Sequence, residues 1–200
     1  MLLLGQTRSG KTYAAKRLAD QHFGKIPIYC LQTKPRDRVL DSLRVPRVRD
    51  TVALDRRKGQ PMVILRPPTE WADDPDFLTD FCKWALHKSG RCIIWINEVA
   101  SITGESFRPT RAYSQLVKYG QGMGVGMIQE TQEPAFIPRI VFSESSLIAR
   151  FFINNEVSLK AITQKAPSVL RPPIRPEDQH GFWLWDTRRR AEGFYFREIA

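Results

Sequence analysis

The sequence lacks any long apolar run. None of its apolar stretches reaches the roughly eighteen residues that a membrane-spanning helix needs, so the sequence excludes a transmembrane helix. The apolar residues 1–4 form a stretch too short for the core of a secretory signal, so we expect neither a cleaved leader nor an integral membrane protein. No internal repeat or low-complexity tract is visible, and 200 residues suit one domain or a domain with a small appendage.

Cysteine and histidine are scarce. The three cysteines have no spacing typical of metal ligands, and their odd number argues against a disulfide framework. We therefore expect buried thiols in a reducing compartment, and we expect the three scattered histidines to be packing or surface residues. These residues are Cys30, Cys82, Cys92, His22, His87 and His180.

Acidic residues are few relative to basic ones. The chain has 31 Lys and Arg against 21 Asp and Glu, which gives a formal net charge of +10. Between Lys34 and Arg66, ten basic residues stand against four acidic ones, and a second basic cluster lies at residues 188–190. This imbalance favours a polyanionic partner such as nucleic acid.

A glycine-rich loop near the start of the chain is the most informative motif. Residues 5–12 fit the P-loop pattern, and they follow a short apolar run and precede a helix-like stretch. The N–H groups of such a loop and the start of its helix surround phosphate oxygens. Lys11 would reach the β- and γ-phosphates, and the Thr12 hydroxyl would ligate Mg²⁺, so the motif predicts binding of ATP with Mg²⁺. The predicted nucleotide-binding residues are Gly5, Gln6, Thr7, Arg8, Ser9, Gly10, Lys11 and Thr12.

Strand-like and helix-like segments alternate along the chain, which predicts an α/β fold with a mainly parallel central sheet. The basic stretch 33–61 is predicted to be loops with short helical or strand pieces. Asp74 followed by proline is typical of a helix start. The predicted strands are 1–4, 26–31, 62–65, 92–96, 125–129 and 149–153, and the predicted helices follow the P-loop and occupy 75–88, 110–119 and 138–146.

The C-terminal part of the chain differs in composition from the rest. Four prolines between residues 167 and 176 predict a connector. The aromatic runs 182–185 and 194–196 flank a polar turn, which predicts a β-hairpin. We therefore divide the chain into a P-loop domain, residues 1–166, and a connector with a hairpin, residues 167–200, that packs on the same domain.

Two polar residues follow the apolar run 92–96, which is the pattern of a Walker B strand. Glu98 is predicted to be catalytic, because a carboxylate at this point can orient water and accept its proton. Asn97 stands where Asp is common. Its amide oxygen can still accept a hydrogen bond from Mg²⁺-bound water or from Thr12, so Asn97 is predicted to be a metal residue that contributes no charge.

A third polar segment, Glu130-Thr131-Gln132, comes after the strand predicted at 125–129. The amide of Gln132 would distinguish ATP from ADP through one hydrogen bond to the γ-phosphate, which makes it a candidate sensor. Together, residues 5–12, the strand that ends in Asn97-Glu98, and residues 124–138 resemble the FtsK–HerA superfamily of DNA-pumping ATPases. The likeness is greatest to the genome-packaging ATPases of membrane-containing and related double-jelly-roll viruses, and it covers roughly residues 1–155.

This resemblance implies a RecA-like (ASCE) P-loop NTPase, with the sensor strand between the P-loop and Walker B strands and Gln132 beside both the P-loop and Glu98. It also implies a homo-oligomeric ring, most often a hexamer, around double-stranded DNA. The expected function is packaging of a viral genome into a preformed capsid, with capsid-vertex or membrane proteins as further partners. The expected location is the virion vertex or the host cytoplasm.

One departure from the family pattern concerns the residue that reaches the neighbouring subunit's ATP. Family members often carry an arginine in the glycine-rich turn before the sensor strand, where this chain has Gln121. Such an arginine finger stabilises the charge that develops during phosphoryl transfer, so another cation is expected to act in its place. We favour Arg111 for this catalytic role. The other candidates are Arg108, Lys118 and Arg150.

Other functions remain open at this point. A related DNA motor for conjugation or repair would share the motifs, although such proteins usually carry extra domains. A small nucleotide or metabolite kinase also has a P-loop, but it needs a lid with paired arginines and no catalytic glutamate after the Walker B strand. A nucleotide-dependent scaffold would bind ATP without turnover. Loops that grip DNA are predicted either in residues 34–58 or in residues 101–110.

Overall fold

A computed structural model of the chain describes residues 1–103, 109–178, 180–188 and 194–196. These residues form one mixed sheet with helices packed on both faces. The strands are β1 Leu2–Leu4, β2 Ile28–Leu31, β3 Arg47–Val48, β4 Met62–Leu65, β5 Cys92–Ile96, β6 Val125–Thr131, β7 Leu147–Phe151, β8 Phe182–Asp186 and β9 Phe194–Phe196. The helices are α1 Lys11–His22, α2 Arg38–Asp41, α3 Thr51–Asp55, α4 Pro75–His87, α5 Ala100–Thr103, α6 Arg111–Tyr119, α7 Arg139–Ser143 and α8 Glu156–Lys165.

The order of the strands is that of the predicted fold class. Within the described ranges, the sheet runs β3-β4-β2-β5-β6-β1-β7-β8-β9, and the pairs from β3 to β7 are all parallel. Strand β6, which carries the predicted sensor segment, lies between β1, which precedes the P-loop, and β5, which precedes Asn97-Glu98. The prediction of an α/β P-loop NTPase with a mainly parallel sheet is therefore confirmed.

The apolar runs become central strands because helices cover both faces of the sheet. Leu2, Leu3 and Leu4 are wholly buried, and alternate residues enter two different apolar clusters. One cluster packs against α4, α6 and α8, and the other packs against α1. Since side chains alternate across a strand, these clusters lie on opposite faces of the sheet.

Helix α4 forms as its sequence predicts. The Asp74 side chain accepts a hydrogen bond from the N–H of Asp76 at the helix start, and Pro75 occupies the first helical position. The aromatic stripe of α4 is core: Phe81 and Trp84 are buried, and the Trp84 indole donates to Asp55 Oδ1 at 2.8 Å. This bond ties α4 to α3.

Several boundaries differ from those predicted. Strand β6 continues through Glu130 and Thr131, and β7 begins two residues earlier than expected, at Leu147. Helix α8 was not predicted, because it buries only Ser158, Ala161 and Ile162 and so carries little apolar periodicity. The short elements α2, β3 and α3 confirm the prediction for residues 33–61.

The C-terminal hairpin extends the sheet. Strand β8 pairs antiparallel with β7, and β9 pairs antiparallel with β8, which confirms the predicted hairpin. The division of the chain after residue 166 stays a prediction. No helix within the described ranges is long and apolar enough to cross a membrane.

Arg150 on β7 is a buried arginine that fixes the connector. Its side chain is 1% exposed, and its Nη1 donates to the carbonyl of Leu170 at 3.0 Å and to that of Pro172. Burial lowers the pKa of this guanidinium. Because these contacts hold the guanidinium inside the fold, Arg150 is unsuited to reaching a neighbouring subunit, although the sequence made it a candidate.

We expect Arg150→Met to destabilise the protein by about 1–3 kcal/mol, because two connector carbonyls would lose their donor. Urea unfolding measures this change. Arg171→Met is the matched control, because Arg171 is exposed at the same connector. Equal free energies of unfolding for the two variants would show that the connector does not depend on Arg150.

Candidate nucleotide-binding site

The P-loop joins β1 to α1 at the carboxyl edge of the sheet. The N–H of Gly5 donates to the carbonyl of Thr131 at 3.2 Å, and the N–H of Gln6 donates to that of Phe152 at 3.0 Å. These bonds seat the loop on the ends of both strands that flank β1. A Cβ on Gly5 would lie 2.6 Å from Ser9 Oγ and 2.7 Å from the Cβ of Phe151, so only glycine fits this position.

The loop leads into a helix start that is free to bind an anion. Gly10 precedes α1 with φ +97°, a left-handed conformation that suits glycine, and Arg8 also has a positive φ of 64°. No side chain of the described residues caps α1, and its first turn contains no acidic residue. The N–H groups and the positive end of the helix dipole are therefore available to phosphate.

Lys11 is buried at the base of the loop. It is 4% exposed, and its Nζ donates to the carbonyl of Gln6 at 2.8 Å. Burial lowers the pKa of Lys11, while the negative charge of nearby Glu130 acts in the opposite direction. Ser9 Oγ is also buried and has no hydrogen-bond partner among the described residues. An ammonium and a hydroxyl in this state suit an incoming phosphate.

A cavity of about 400 Å³ opens in front of the loop. Five of its lining residues are basic and one is acidic, so it offers a strongly positive surface to a polyphosphate. The lining residues are Thr7, Arg8, Ser9, Gly10, Lys11, Thr12, Tyr13, Lys34, Arg36, Asp37, Arg38, Val39, Gln132 and His180. Lys34, Arg36 and Arg38 come from the basic stretch after β2, and the sequence did not assign them to this site.

Glu98 lies close to Gln132 and Lys34. Its carboxylate accepts the backbone N–H of Gln132 at 3.2 and 3.3 Å, and Lys34 Nζ lies 3.1 Å from its Oε2. Neither Glu98 nor Lys34 is freely exposed, with 12% and 22% of their side chains accessible. The predicted catalytic acid is therefore held by a lysine that also lines the cavity.

Gln132 contacts both the P-loop and the Walker B segment. Its side-chain oxygen accepts a hydrogen bond from Thr7 Oγ1, and its backbone N–H donates to Glu98. This is the position that the family resemblance implies for a sensor. The structure thus brings together three motifs that are far apart in the sequence, and the sensing role of Gln132 stays a prediction.

Asn97 has a different environment from the one predicted. It is wholly buried, and its Oδ1 accepts the N–H of Thr33 at 3.0 Å. Among the described residues, no hydrogen bond joins Asn97 to Thr12, and its Nδ2 has no partner. Its amide oxygen thus fixes the segment after β2, and its role toward a metal stays a prediction.

The Thr12 hydroxyl contacts two carboxylates, Asp37 with its Oδ2 at 3.4 Å and, at shorter distance, Glu130, a residue to which the sequence assigns no role. Thr12 Oγ1 donates to Glu130 Oε2 at 2.8 Å, and the Trp95 indole donates to Glu130 Oε1 at 2.7 Å. Glu130 is wholly buried, and burial raises the pKa of its carboxyl. The available signal was an acidic residue at the end of strand β6, but the strand was predicted to end at residue 129.

The candidate arginine finger lies outside the cavity. Arg111 is exposed at the first position of α6, and Lys118 is exposed in the last turn of the same helix. Arg108 lies outside the described residues. The exposure of Arg111 is compatible with a contact to a neighbouring subunit, and its catalytic role stays a prediction.

We expect Gly5→Ala to weaken binding of an ATP analogue by at least about tenfold, or roughly 1.4 kcal/mol, because the added Cβ would displace the loop from Phe151 and Ser9. A fluorescence titration measures this affinity. Gly122→Ala is the matched control, since a Cβ there meets no atom within 4 Å. Equal affinities for the two variants would show that this close approach does not shape the binding loop.

Comparison with known proteins gives likeness at the level of fold. Scans against protein-family models and curated proteins return no match. Among solved structures, the genome packaging NTPase B204 from Sulfolobus turreted icosahedral virus 2, in complex with ATP-gammaS, matches with a TM-score of 0.77, over 100% of this chain and 96% of that chain, at 18% identity. B204 from Sulfolobus turreted icosahedral virus, a DNA-packaging ATPase, matches with a TM-score of 0.79, over 100% and 97%, at 18% identity.

A conjugation protein also matches. The pCW3 conjugation coupling protein TcpA, in a monomer form with ATPgS, aligns over 98% of this chain and 59% of that chain, with a TM-score of 0.58 and 14% identity. The likeness to viral packaging ATPases predicted from the motifs is thus confirmed for the fold. The chain has the P-loop NTPase fold, with the same overall arrangement as the packaging NTPase B204 along its whole length.

Proposed function

We propose that this protein is an ATP-driven double-stranded DNA translocase that packages a viral genome into a preformed capsid. The observation that carries the proposal is the arrangement of Glu98 and Gln132 beside a P-loop whose Lys11 is buried. The fold shared with B204 adds support, because those proteins are described as packaging NTPases.

ATP binding follows from the loop geometry. The triphosphate would lie in the basic cavity, with its oxygens on the N–H groups at the start of α1 and on the Lys11 ammonium. Lys11 would exchange its bond to the Gln6 carbonyl for phosphate oxygens. Lys34, Arg36 and Arg38 would offset the remaining negative charge.

Hydrolysis needs a base for water. Glu98 would accept a proton from the water whose oxygen attacks the γ-phosphorus, while the bond to the β–γ bridging oxygen breaks. Lys34 holds this carboxylate 3.1 Å from its ammonium, and the N–H of Gln132 fixes its orientation. Because Gln132 also contacts Thr7, the sensor and the base would respond to the same phosphate.

The proposed metal residues are Thr12 and Asn97, as the motifs predict. The oxygen donors near Thr12, which include the Glu130 carboxylate, fit the preference of Mg²⁺ for hard oxygen ligands. When bound, Mg²⁺ neutralises charge on the β- and γ-phosphate oxygens.

The proposed polymer partner is double-stranded DNA, held by its phosphates and without sequence preference. Part of the basic stretch stabilises the local fold, since Arg47 donates to four backbone carbonyls in and after α2 and Arg66 pairs with Asp41. The run Arg-Arg-Lys at residues 56–58, which follows α3, is exposed, and its side chains form no such bonds with the described residues, so it is better placed for DNA. Of the alternative segment 101–110, residues 104–108 lie outside the described residues.

We expect duplex DNA to stimulate ATP hydrolysis, with a stimulation that falls steeply as salt rises, because phosphate contacts release counterions. Glu98→Gln should still bind ATP but hydrolyse it about 10²–10⁴-fold more slowly, since the base is lost. Lys11→Ala should lose binding as well. A phosphate-release assay and an analogue titration measure the two properties.

Glu144→Gln is the control, because Glu144 is exposed and lies away from the cavity. Parent-like turnover by Glu98→Gln would show that another group activates water. Phosphate transfer to a small acceptor, with no response to DNA, would support a kinase. Binding without any turnover in the parent protein would support a scaffold.

The proposed assembly is a homo-oligomeric ring, most simply a hexamer. In this ring Arg111 would act on the neighbouring subunit's ATP. Capsid-vertex or membrane proteins are proposed as further partners.

We expect Arg111→Ala subunits mixed with parent subunits to lower turnover below the value that simple dilution gives, because each variant subunit would impair its neighbour. ATPase rates across a mixing series measure this. Arg139→Ala, an exposed arginine at the start of α7, is the control. A linear decline for Arg111→Ala would exclude action across the interface.

A further inference from the structure

We propose that Glu130 supplies the carboxylate that holds Mg²⁺ in this site together with Thr12, in place of the acid that position 97 lacks. This inference rests on the proposed ATP-binding function and concerns the metal residues of the same site. Three observations carry it: the register of the strands, the partners of Glu130, and the burial of its charge.

The register places Glu130 beside Asn97. Strands β5 and β6 are parallel, with Trp95 opposite Ile128 and Ile96 opposite Gln129. Continuing this register by one residue brings Asn97 level with Glu130. Glu130 is also level with Leu3 on the other side, so it lies on the strand next to β1, from which the P-loop starts. The carboxylate thus lies on β6, one strand closer to β1 and the P-loop than position 97, which follows β5.

The contacts of Glu130 point toward the metal residue of the P-loop. Thr12 Oγ1, the predicted Mg²⁺ ligand, donates to Glu130 Oε2 at 2.8 Å. Asn97 instead directs its oxygen to the backbone N–H of Thr33 at 3.0 Å. Since a hydroxyl that ligates a cation and a carboxylate within hydrogen-bond distance of it can serve the same ion, the pair forms an oxygen donor set that Mg²⁺ prefers.

The buried Glu130 carboxylate interacts electrostatically with the charges of Lys11 and Lys34 but contacts neither ammonium directly. The residue is wholly buried, and both of its hydrogen bonds come from neutral donors, the Thr12 hydroxyl and the Trp95 indole. No salt bridge within 4.0 Å involves it among the described residues. A buried carboxylate without a salt bridge is costly, and a bound divalent ion reduces this cost.

A purely structural role is the alternative, in which Glu130 only joins Trp95 to Thr12. The two roles differ in charge. A glutamine at position 130 can accept the Trp95 indole N–H through its amide oxygen and donate from its NH2 group to the Thr12 hydroxyl, which keeps both residues joined, but the amide carries no charge to hold a cation. Glu130→Gln therefore separates the metal role from the structural one.

The experiment measures metal binding rather than turnover. Mn²⁺ is titrated into the protein with a non-hydrolysable ATP analogue, and free Mn²⁺ is followed by electron paramagnetic resonance. We expect Glu130→Gln to lower Mn²⁺ affinity by about 10–100-fold. Analogue binding in EDTA should remain that of the parent, because the P-loop contacts are unchanged. The double variant Glu130→Gln with Asn97→Asp should recover part of the affinity, since it returns a carboxylate to the neighbouring strand.

Glu133→Gln is the matched control, because Glu133 is an exposed acid three residues away on the same segment. Parent-like Mn²⁺ affinity in Glu130→Gln would overturn the assignment and leave the proposed function intact. Failure of the parent protein to bind the analogue even in EDTA would overturn the proposed function itself. If Glu130→Gln did not fold, Glu130→Asp would replace it, and unchanged Mn²⁺ affinity after that one-methylene retraction would equally contradict the inference.

Discussion

The shared edge at which β1, β6 and β5 end is the constraint on which the site depends. Parallel strands place their carboxyl ends together, so segments that are far apart in the sequence become neighbours there. Two backbone groups fix the arrangement: Gly5 donates to the carbonyl of Thr131, and Gln132 donates to the carboxylate of Glu98. A shift of one residue in either strand pairing would turn these side chains to the other face and separate them.

Positive and negative side chains lie next to each other in this site. Lys11 lies near Glu130, and Lys34 pairs with Glu98, so each buried or half-buried ion has an opposite charge nearby. A triphosphate would add negative charge to a cavity in which basic residues already outnumber acidic ones. Phosphate oxygens would then compete with Glu130 for Lys11 and with Glu98 for Lys34. The ion pair between Lys34 and Glu98 would therefore weaken.

The features that depend on contiguous residues could be predicted from the sequence. The P-loop, the Asn97-Glu98 pair and Gln132 stand out because each follows an apolar strand, and the strand alternation predicted the sheet. Glu130 and Lys34 were missed because their roles depend on partners distant in sequence: Thr12 is 118 residues from Glu130. Arg150 was misjudged for the same reason, since a charged side chain in a sequence gives no sign that backbone carbonyls from the connector enclose it.

The segment just before β8 also lines the cavity in front of the P-loop. It brings His180 to the P-loop, where its Nδ1 lies 3.7 Å from the position of a Cβ on Gly10, and β8 then covers the outer edge of β7. The segment from His180 through β8 therefore both lines the pocket and extends the sheet. A nucleotide that contacts this segment would stabilise its docked position. By thermodynamic linkage, a partner that binds the undocked segment would weaken nucleotide affinity by the same factor.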